Sequence, residues 1–429
     1  MQATLPIHYP LQGPKPEPTV EVLNTGSELL LGAVTNTHAG FLGSELLKLG
    51  LRIERQTCVP DGPHIGEALQ EALGRSGLIF VTGGLGPTSD DLTRDLTAQL
   101  LQKPLIDDAA IWQQIQERFG RRKMKAPEST RRQAQVPEGA LVLPNVNGTA
   151  PGLFLPCSWM GAERWVFLLP GPPRELYPMF REQIYPFLEQ HYGLTERPVM
   201  RIFRVIGVGE SHVEQRVGAE LDAWPDLEVG YCARYGEVDV RLIGPLSTVA
   251  RGEQRLRDEL GLAIYGENAE QLEDVVVSLL SLKKQTLAVA ESCTGGLVAN
   301  RITNVPGASA VFHQGMVTYS NESKIQNLGV DESLLSTHGA VSSQVAQAMA
   351  RGILQRSKAS MAISTTGIAG PSGGSEEKPV GTVFLAYASA DGKVRVEHRI
   401  YPVDRLSFKH LVSQTALSIL REELLELAS

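Results

Sequence analysis

The chain has 429 residues, 42% of them hydrophobic and 21% charged, with a formal net charge of −8, which is enough for two or three hydrophobic cores. No apolar run approaches the roughly 18 residues of a membrane span, and the acidic balance argues against nucleic acid as a direct partner. The four cysteines, Cys58, Cys157, Cys232 and Cys293, lie far apart; reduced thiols in a cytoplasm are expected, in preference to a zinc site or a disulfide framework.

Residues 1–18 carry prolines at positions 6, 10, 14, 16 and 18 and read as a flexible arm without a secretory pattern. Over 19–192 strand-like and helix-like segments alternate: an apolar run at 19–24, a helix at 36–49, strands at 51–59 and 78–81, and a helix at 64–73 between those two strands. That alternation predicts a parallel sheet wrapped by helices. Ligands of such sheets bind beyond the carboxyl ends of the strands, where Thr25-Gly26-Ser27-Glu28 and the run Gly83-Gly84-Leu85-Gly86-Pro87-Thr88-Ser89-Asp90-Asp91 would lie. The second loop reads in two ways. Its backbone donors could cradle phosphate while Asp90 or Asp91 holds a divalent metal, or either aspartate could cap a helix starting near Leu92. The loops at 147–152 and 169–175 are expected on the same face of the sheet.

Residues 193–267 read as a small α+β connecting domain, with a helix at 210–221 and an alternating hairpin pattern after it. Cys232 is expected to be a packed thiol. The last domain, 268–429, opens with a helix and then runs from an apolar strand into Glu291-Ser292-Cys293-Thr294-Gly295-Gly296, a turn that would present backbone N–H groups to an oxyanion or a phosphate. A second strand-to-glycine loop, Thr365-Thr366-Gly367-Ile368-Ala369-Gly370, continues into a flexible stretch suited to the rim of a site. The hydroxyls of Ser292, Thr294, Ser309 and Tyr319, with Lys324 five residues after the tyrosine, suggest a serine hydrolase that uses lysine as base, with the tyrosine relaying the proton or orienting the pair. The same residue types also occur in any surface turn.

The runs AESCTGG, PGAS, VTYSNESK, HGAVS, TGIAGPSGGSEEKPVGTV and YPVDR, in this order over about 271–429, resemble the C-terminal domain of the CinA family. TGSELLLGAVTNT, GGLGPTSDDLT, NGTAPG and LPGPPREL resemble that family's N-terminal domain. The resemblance implies an α/β chain: a three-layer molybdopterin-binding-like domain, the small α+β domain and an α/β deamidase domain, assembled as a homodimer. It implies cofactor-free conversion of nicotinamide mononucleotide to nicotinic acid mononucleotide and ammonia. Ser309 would be the nucleophile and Tyr319 and Lys324 its activating pair, while Ser292 would bind substrate or support the oxyanion. Thr294, Gly295, Gly296, Thr366, Gly367, Ala369 and Gly370 would line the site and Arg405 would meet the 5′-phosphate.

For the N-terminal domain the resemblance implies an ADP-ribose pyrophosphatase using Mg²⁺, Mn²⁺ or Co²⁺, with Glu28, Gly84, Gly86, Thr88, Asp90 and Asp91 at the nucleotide and Asp90 and Asp91 on the metal. Ser27 stands where relatives commonly carry an aspartate. Two other readings stay open: a deamidase with a non-catalytic pterin- or nucleotide-binding module, and an adaptor protein in competence or DNA repair.

Overall fold

Strands buried on both faces are rich in apolar residues, and Val20–Thr25 and Leu78–Thr82, buried along their whole length, form the middle of the first sheet; the polar Glu21 and Asn24 of the former are buried with hydrogen-bond partners in Arg75, Ser76 and Thr82. In the computed structural model, which describes residues 14–193 and 197–427, that sheet has six strands. Their order is Ile53–Val59, Val20–Thr25, Leu78–Thr82, Ala162–Leu169, Gly152–Trp159 and Leu141–Leu143. The first four run parallel, and Gly152–Trp159 runs against both of its neighbours.

Alternation along the strands feeds two cores: Phe80 and Phe167 point to one face with Leu42, Phe180 and Phe187, while Ile79, Val81 and Val166 point to the other with Leu69, Leu73 and Ile115. The result is the expected three-layer α/β arrangement. Most of the proline-rich arm lies outside the described residues.

The chain divides into two compact units between Val199 and Met200. In the second unit, a four-stranded sheet has the order Glu228–Arg234, Glu237–Gly244, Val199–Ile206, Ile264–Glu267. Glu228–Arg234 and Glu237–Gly244 form the expected hairpin, and the helices Glu210–Leu221 and Leu246–Leu260 accompany the sheet. These elements are fastened to the last helix of the chain, Arg405–Glu426. Arg421 donates to the carbonyls of Leu262 and Ile264, and buried Glu237 accepts from Tyr265 Oη and Gln414 Nε2.

The remaining sheet has the order Phe312–Val317, Leu287–Glu291, Met361–Gly367, Thr382–Ser389, Val394–Ile400. Its first three strands are parallel and the last two antiparallel. Leu272–Leu282 and Arg405–Glu426 pack on one face and Ser343–Ser357 on the other. The parallel strands place the ends of Leu287–Glu291, Phe312–Val317 and Met361–Gly367 along one edge, and the chemistry expected from the sequence converges there.

Candidate active site

The strand Leu287–Glu291 is fully buried and breaks into a tight turn before the helix Leu297–Thr303. Gly295 (φ 61°) and Gly296 (φ 94°) make that turn in the left-handed region, where a side chain is strained. The Glu291 carboxylate, 1% exposed, reaches across the turn and accepts the backbone N–H groups of Gly296 (2.9 Å), Val298 (3.1 Å) and Ala299 (2.9 Å). A carboxylate at a helix start satisfies donors that have no intrahelical partner. It also corrects an expectation: the Gly296 amide is already taken and is not free for an oxyanion.

Glu291→Ala leaves three donors unmet, the Val298 amide buried and those of Gly296 and Ala299 part-buried, at about 1 kcal/mol each. An expected loss of roughly 3 kcal/mol should appear as an earlier denaturant transition for the second unit, while a Gln variant, keeping an acceptor, should lose less.

Lys324 approaches the same turn from the helix Asn321–Leu328, whose start is capped by the Ser320 side chain bonded to the Ser323 amide. Its side chain is 1% exposed. Nζ lies 3.1 Å from Ser292 Oγ, 2.8 Å from the Thr318 carbonyl and 3.2 Å from the Tyr319 carbonyl. Burial holds its pKa below the usual lysine value, because a low-dielectric surrounding disfavours the charged form. A neutral amine has two N–H groups and one lone pair. When the amine is neutral and the two carbonyls take its N–H groups, its lone pair is left for Ser292 Oγ. Cys293, next to the serine, is a poor competitor as nucleophile, since burial pushes its thiol up to about 12 and keeps it protonated.

The other expected residues divide into those that gather at this edge and one that does not. Thr294 Oγ1 is buried against Thr365 Oγ1 at 2.7 Å. The Thr366 hydroxyl donates to the Ala340 carbonyl, so this residue offers the site backbone only. Gly367 lies under Phe408, whose ring would be 3.1 Å from a Cβ placed there. Arg405 donates through Nη1 to the Gly370 carbonyl (2.9 Å) and through Nη2 to the Tyr319 hydroxyl (2.8 Å). The phenol of Tyr319 therefore faces the arginine, and Tyr319 meets Lys324 through its carbonyl; the expected proton relay through the phenol does not fit.

Ser309 does not join the group. It precedes the strand Phe312–Val317, and the parallel register pairs Leu287 with Phe312 and Glu291 with Val317. Ser309 therefore stands at the opposite edge of the sheet from Ser292, about 17 Å away at about 3.3 Å per residue. Lys324 cannot serve both serines, and the one it touches is Ser292. Sequence reading gave no role of their own to Glu291, Thr318 and Thr365. The carboxylate directly before a glycine turn and a helix was the available signal for Glu291; Thr318 and Thr365 had none beyond residue type.

In the first unit, Glu28 follows Val20–Thr25 on the short helix Ser27–Leu30, and Gly84, Gly86, Thr88, Asp90 and Asp91 follow Leu78–Thr82, so both loops do sit at carboxyl ends of parallel strands. A Cβ on Gly83 would stand 2.6 Å from Thr25 Oγ1, and one on Gly84 would stand 2.1 Å from Thr93 Oγ1, a buried hydroxyl without a partner among the described residues. The loop passes this close to its neighbours because it has no side chains there.

Asp91 neither caps the helix Thr93–Leu100, which has no side-chain cap, nor points outward. Its Oδ2 accepts from Thr88 N (2.9 Å) and Oγ1 (2.5 Å). Ser27 exchanges hydrogen bonds with Asp61, a carboxylate the sequence reading did not name. Among the described residues no group of three or more His, Cys, Asp or Glu is placed to hold a metal ion. The donor set fits an ion only where substrate phosphates complete the coordination, the usual situation for Mg²⁺.

Comparison with known proteins follows the same division. Residues 21–190 match the family model described as "Probable molybdopterin binding domain", residues 200–266 the "Damage-inducible protein CinA KH domain", and residues 269–424 the "CinA C-terminal domain". A CinA-like protein of Akkermansia muciniphila is 47% identical over 399 residues, covering 93% of this chain and 96% of that protein. A second CinA-like protein, from Kosmotoga olearia, is 39% identical over 415 residues, covering 95% and 99%. With such identity over nearly the whole of each partner, the chain belongs to the CinA family and contains its molybdopterin-binding-like, KH and C-terminal domains in that order.

Proposed function

We propose that the second unit is an amidohydrolase that converts nicotinamide mononucleotide and water to nicotinic acid mononucleotide and ammonia, with Ser292 as nucleophile and Lys324 as base. The observation that carries this reading is the buried contact of 3.1 Å between Lys324 Nζ and Ser292 Oγ, with the two flanking carbonyls leaving the neutral amine's lone pair for the hydroxyl. A serine hydroxyl attacks only when a base removes its proton, and a desolvated lysine can be that base near neutral pH.

Ser292 Oγ adds to the carboxamide carbon as its proton passes to Lys324 Nζ. A backbone N–H group of the turn after Ser292 would meet the developing oxyanion; the Gly295 and Gly296 amides are already bonded to the Ser292 carbonyl and the Glu291 carboxylate, which leaves Thr294 as the candidate. Collapse breaks the C–N bond, the lysine returns its proton to the leaving nitrogen, and ammonia departs from a serine ester. Water, deprotonated by the same amine, hydrolyses the ester and restores Ser292. No step draws on a cofactor.

Ammonia release from nicotinamide mononucleotide by the purified chain, with no metal added, tests the reading. A chain that forms no ammonia and no nicotinic acid mononucleotide sinks it.

For the first unit, the unpartnered Thr93 hydroxyl under the Gly83–Gly84 loop favours a second activity on a phosphate ligand, the metal-dependent hydrolysis of ADP-ribose to AMP and ribose 5-phosphate. Glu28 and Asp90 are the carboxylates proposed to meet an ion; Asp91 is turned to Thr88, and Asp90, held below the usual aspartate range by a hydrogen bond from the same threonine side chain, would turn from it to do so. The ion would supply charge neutralisation at the diphosphate. AMP is expected from ADP-ribose with Mg²⁺, Mn²⁺ or Co²⁺ and not in chelator. Binding without turnover under all three ions would reduce this unit to a ligand-binding module.

A further inference from the structure

The loop Gly83–Asp91 is held from behind by a segment that the proposed chemistry does not use. Arg132 and Gln133 lie on the short helix Glu128–Ala134, and Arg132 stands 44 positions after Thr88. Arg132 donates through Nη1 to the Thr88 carbonyl (2.6 Å) and through Nη2 to the Asp91 carbonyl (3.4 Å). Buried Gln133 donates through Nε2 to the Leu85 carbonyl (3.3 Å). Three carbonyls of one loop are thus turned toward two neighbouring side chains.

In a planar trans peptide the carbonyl of one residue and the N–H of the next point in opposite directions. The N–H groups of Gly86, Ser89 and Leu92 therefore face away from Arg132 and Gln133, and they make no hydrogen bond among the described residues. Unused main-chain donors gathered on one loop suit phosphate oxygens. The charge behind the loop has the matching sign. Arg94, 3% exposed, donates to the Arg132 carbonyl and shares the Asp95 carboxylate with Arg132. Two guanidinium groups bonded to one carboxylate leave the back of the loop cationic. Arg94 Nε, Gln133 Oε1 and Thr93 Oγ1 are buried in the same place without a partner among the described residues, the mark of a site completed by water or a ligand.

We propose that Arg132 and Gln133 are positioning residues for a diphosphate ligand of the first unit: by holding three loop carbonyls they turn the Gly86, Ser89 and Leu92 amides toward the anion. This rests on reading the first unit as a site for a phosphate ligand. Neither side chain touches the ligand itself. The planar fork of an arginine holds two carbonyls in one fixed geometry, which the single ammonium of a lysine does not reproduce.

The test is calorimetric titration of the full chain with ADP-ribose in chelator and with inorganic pyrophosphate, the latter in chelator and with Mg²⁺. Arg132→Met should weaken both ligands by about tenfold or more. Gln133→Leu, which releases only the Leu85 carbonyl, should weaken them less. Arg132→Lys should recover little of the loss although it restores the charge, an outcome that simple attraction between charges would not give. Hydrogen–deuterium exchange supplies a second readout: either ligand should slow exchange over residues 84–92 in the unaltered chain, and much less in Arg132→Met. Unchanged affinities in a folded Arg132→Met, or full recovery in Arg132→Lys, overturn the proposal and leave the phosphate-ligand reading intact. Should Arg132→Met not fold, Arg132→Lys and Gln133→Leu decide by the same titrations, and unaltered affinity in both overturns the proposal. An unaltered chain that binds neither ligand under any of these conditions removes both.

Discussion

Alanine at Ser292 is expected to lower ammonia release from nicotinamide mononucleotide by at least about 10³-fold, because without the nucleophile only binding and oxyanion contacts remain to assist attack by water. Alanine at Ser309 should leave the rate within about twofold, the scatter of ordinary surface changes. The pair is decisive because the two serines lie at opposite edges of one sheet. Ser292 follows Glu291, whereas Ser309 precedes the strand that pairs with it in parallel register. Mass spectrometry of the chain quenched during turnover should find the ester of nicotinic acid mononucleotide, ribose 5-phosphate still attached, on the peptide containing Ser292. A rate collapse in Ser309→Ala with full activity in Ser292→Ala would reverse the assignment.

Lys324→Met is expected to cost about 10²–10⁴-fold, the usual contribution of a positioned base, while roughly conserving volume in a site where the side chain is 1% exposed. The pH dependence has a definite sign. The amine must be neutral to accept the Ser292 proton, so kcat/KM should rise with pH as Lys324 loses its proton and then level off. Burial lowers the lysine from its ordinary value of 10.5, so the inflection should fall below that value. A profile flat through the whole range below 10.5, or one that falls as pH rises there, would exclude Lys324 as the base. The same shift acts on stability. Between the folded pKa and 10.5 the unfolded chain binds the proton that the folded chain does not, so the share of stability carried by Lys324 rises with pH across that window.

Fold and site were not equally legible. Period-two and helical patterning located several elements of both units to within a few residues: the helix expected at 210–221 is Glu210–Leu221, and the one expected at 36–49 is His38–Leu47, while Ala109–Arg121 and Leu246–Leu260 were not anticipated. The last helix, expected from about Asp404, runs Arg405–Glu426 with Asp404 as its cap. Such features are local, since capping, glycine turns and apolar spacing are written in adjacent residues. Residue types also marked the right neighbourhoods for chemistry: the ESCTGG turn, Lys324 and Arg405 all come to one edge of the second unit's sheet.

The pairings among those residues were not legible. Ser292 and Lys324 are 32 positions apart, and nothing in their own neighbourhoods distinguishes Ser292 from Ser309 as the lysine's partner. That choice depends on the direction in which Phe312–Val317 runs beside Leu287–Glu291. The roles of Glu291, which fills the helix start expected to be open, and of Tyr319, whose phenol meets Arg405 and whose carbonyl meets Lys324, are likewise set by which groups are left to satisfy which donors once the layers have packed. Composition, periodicity and motif thus settle the class of fold and the inventory of reactive groups, because these are properties of neighbouring residues. Which serine meets the base is decided by strand register and burial, which exist only after the chain has closed on itself.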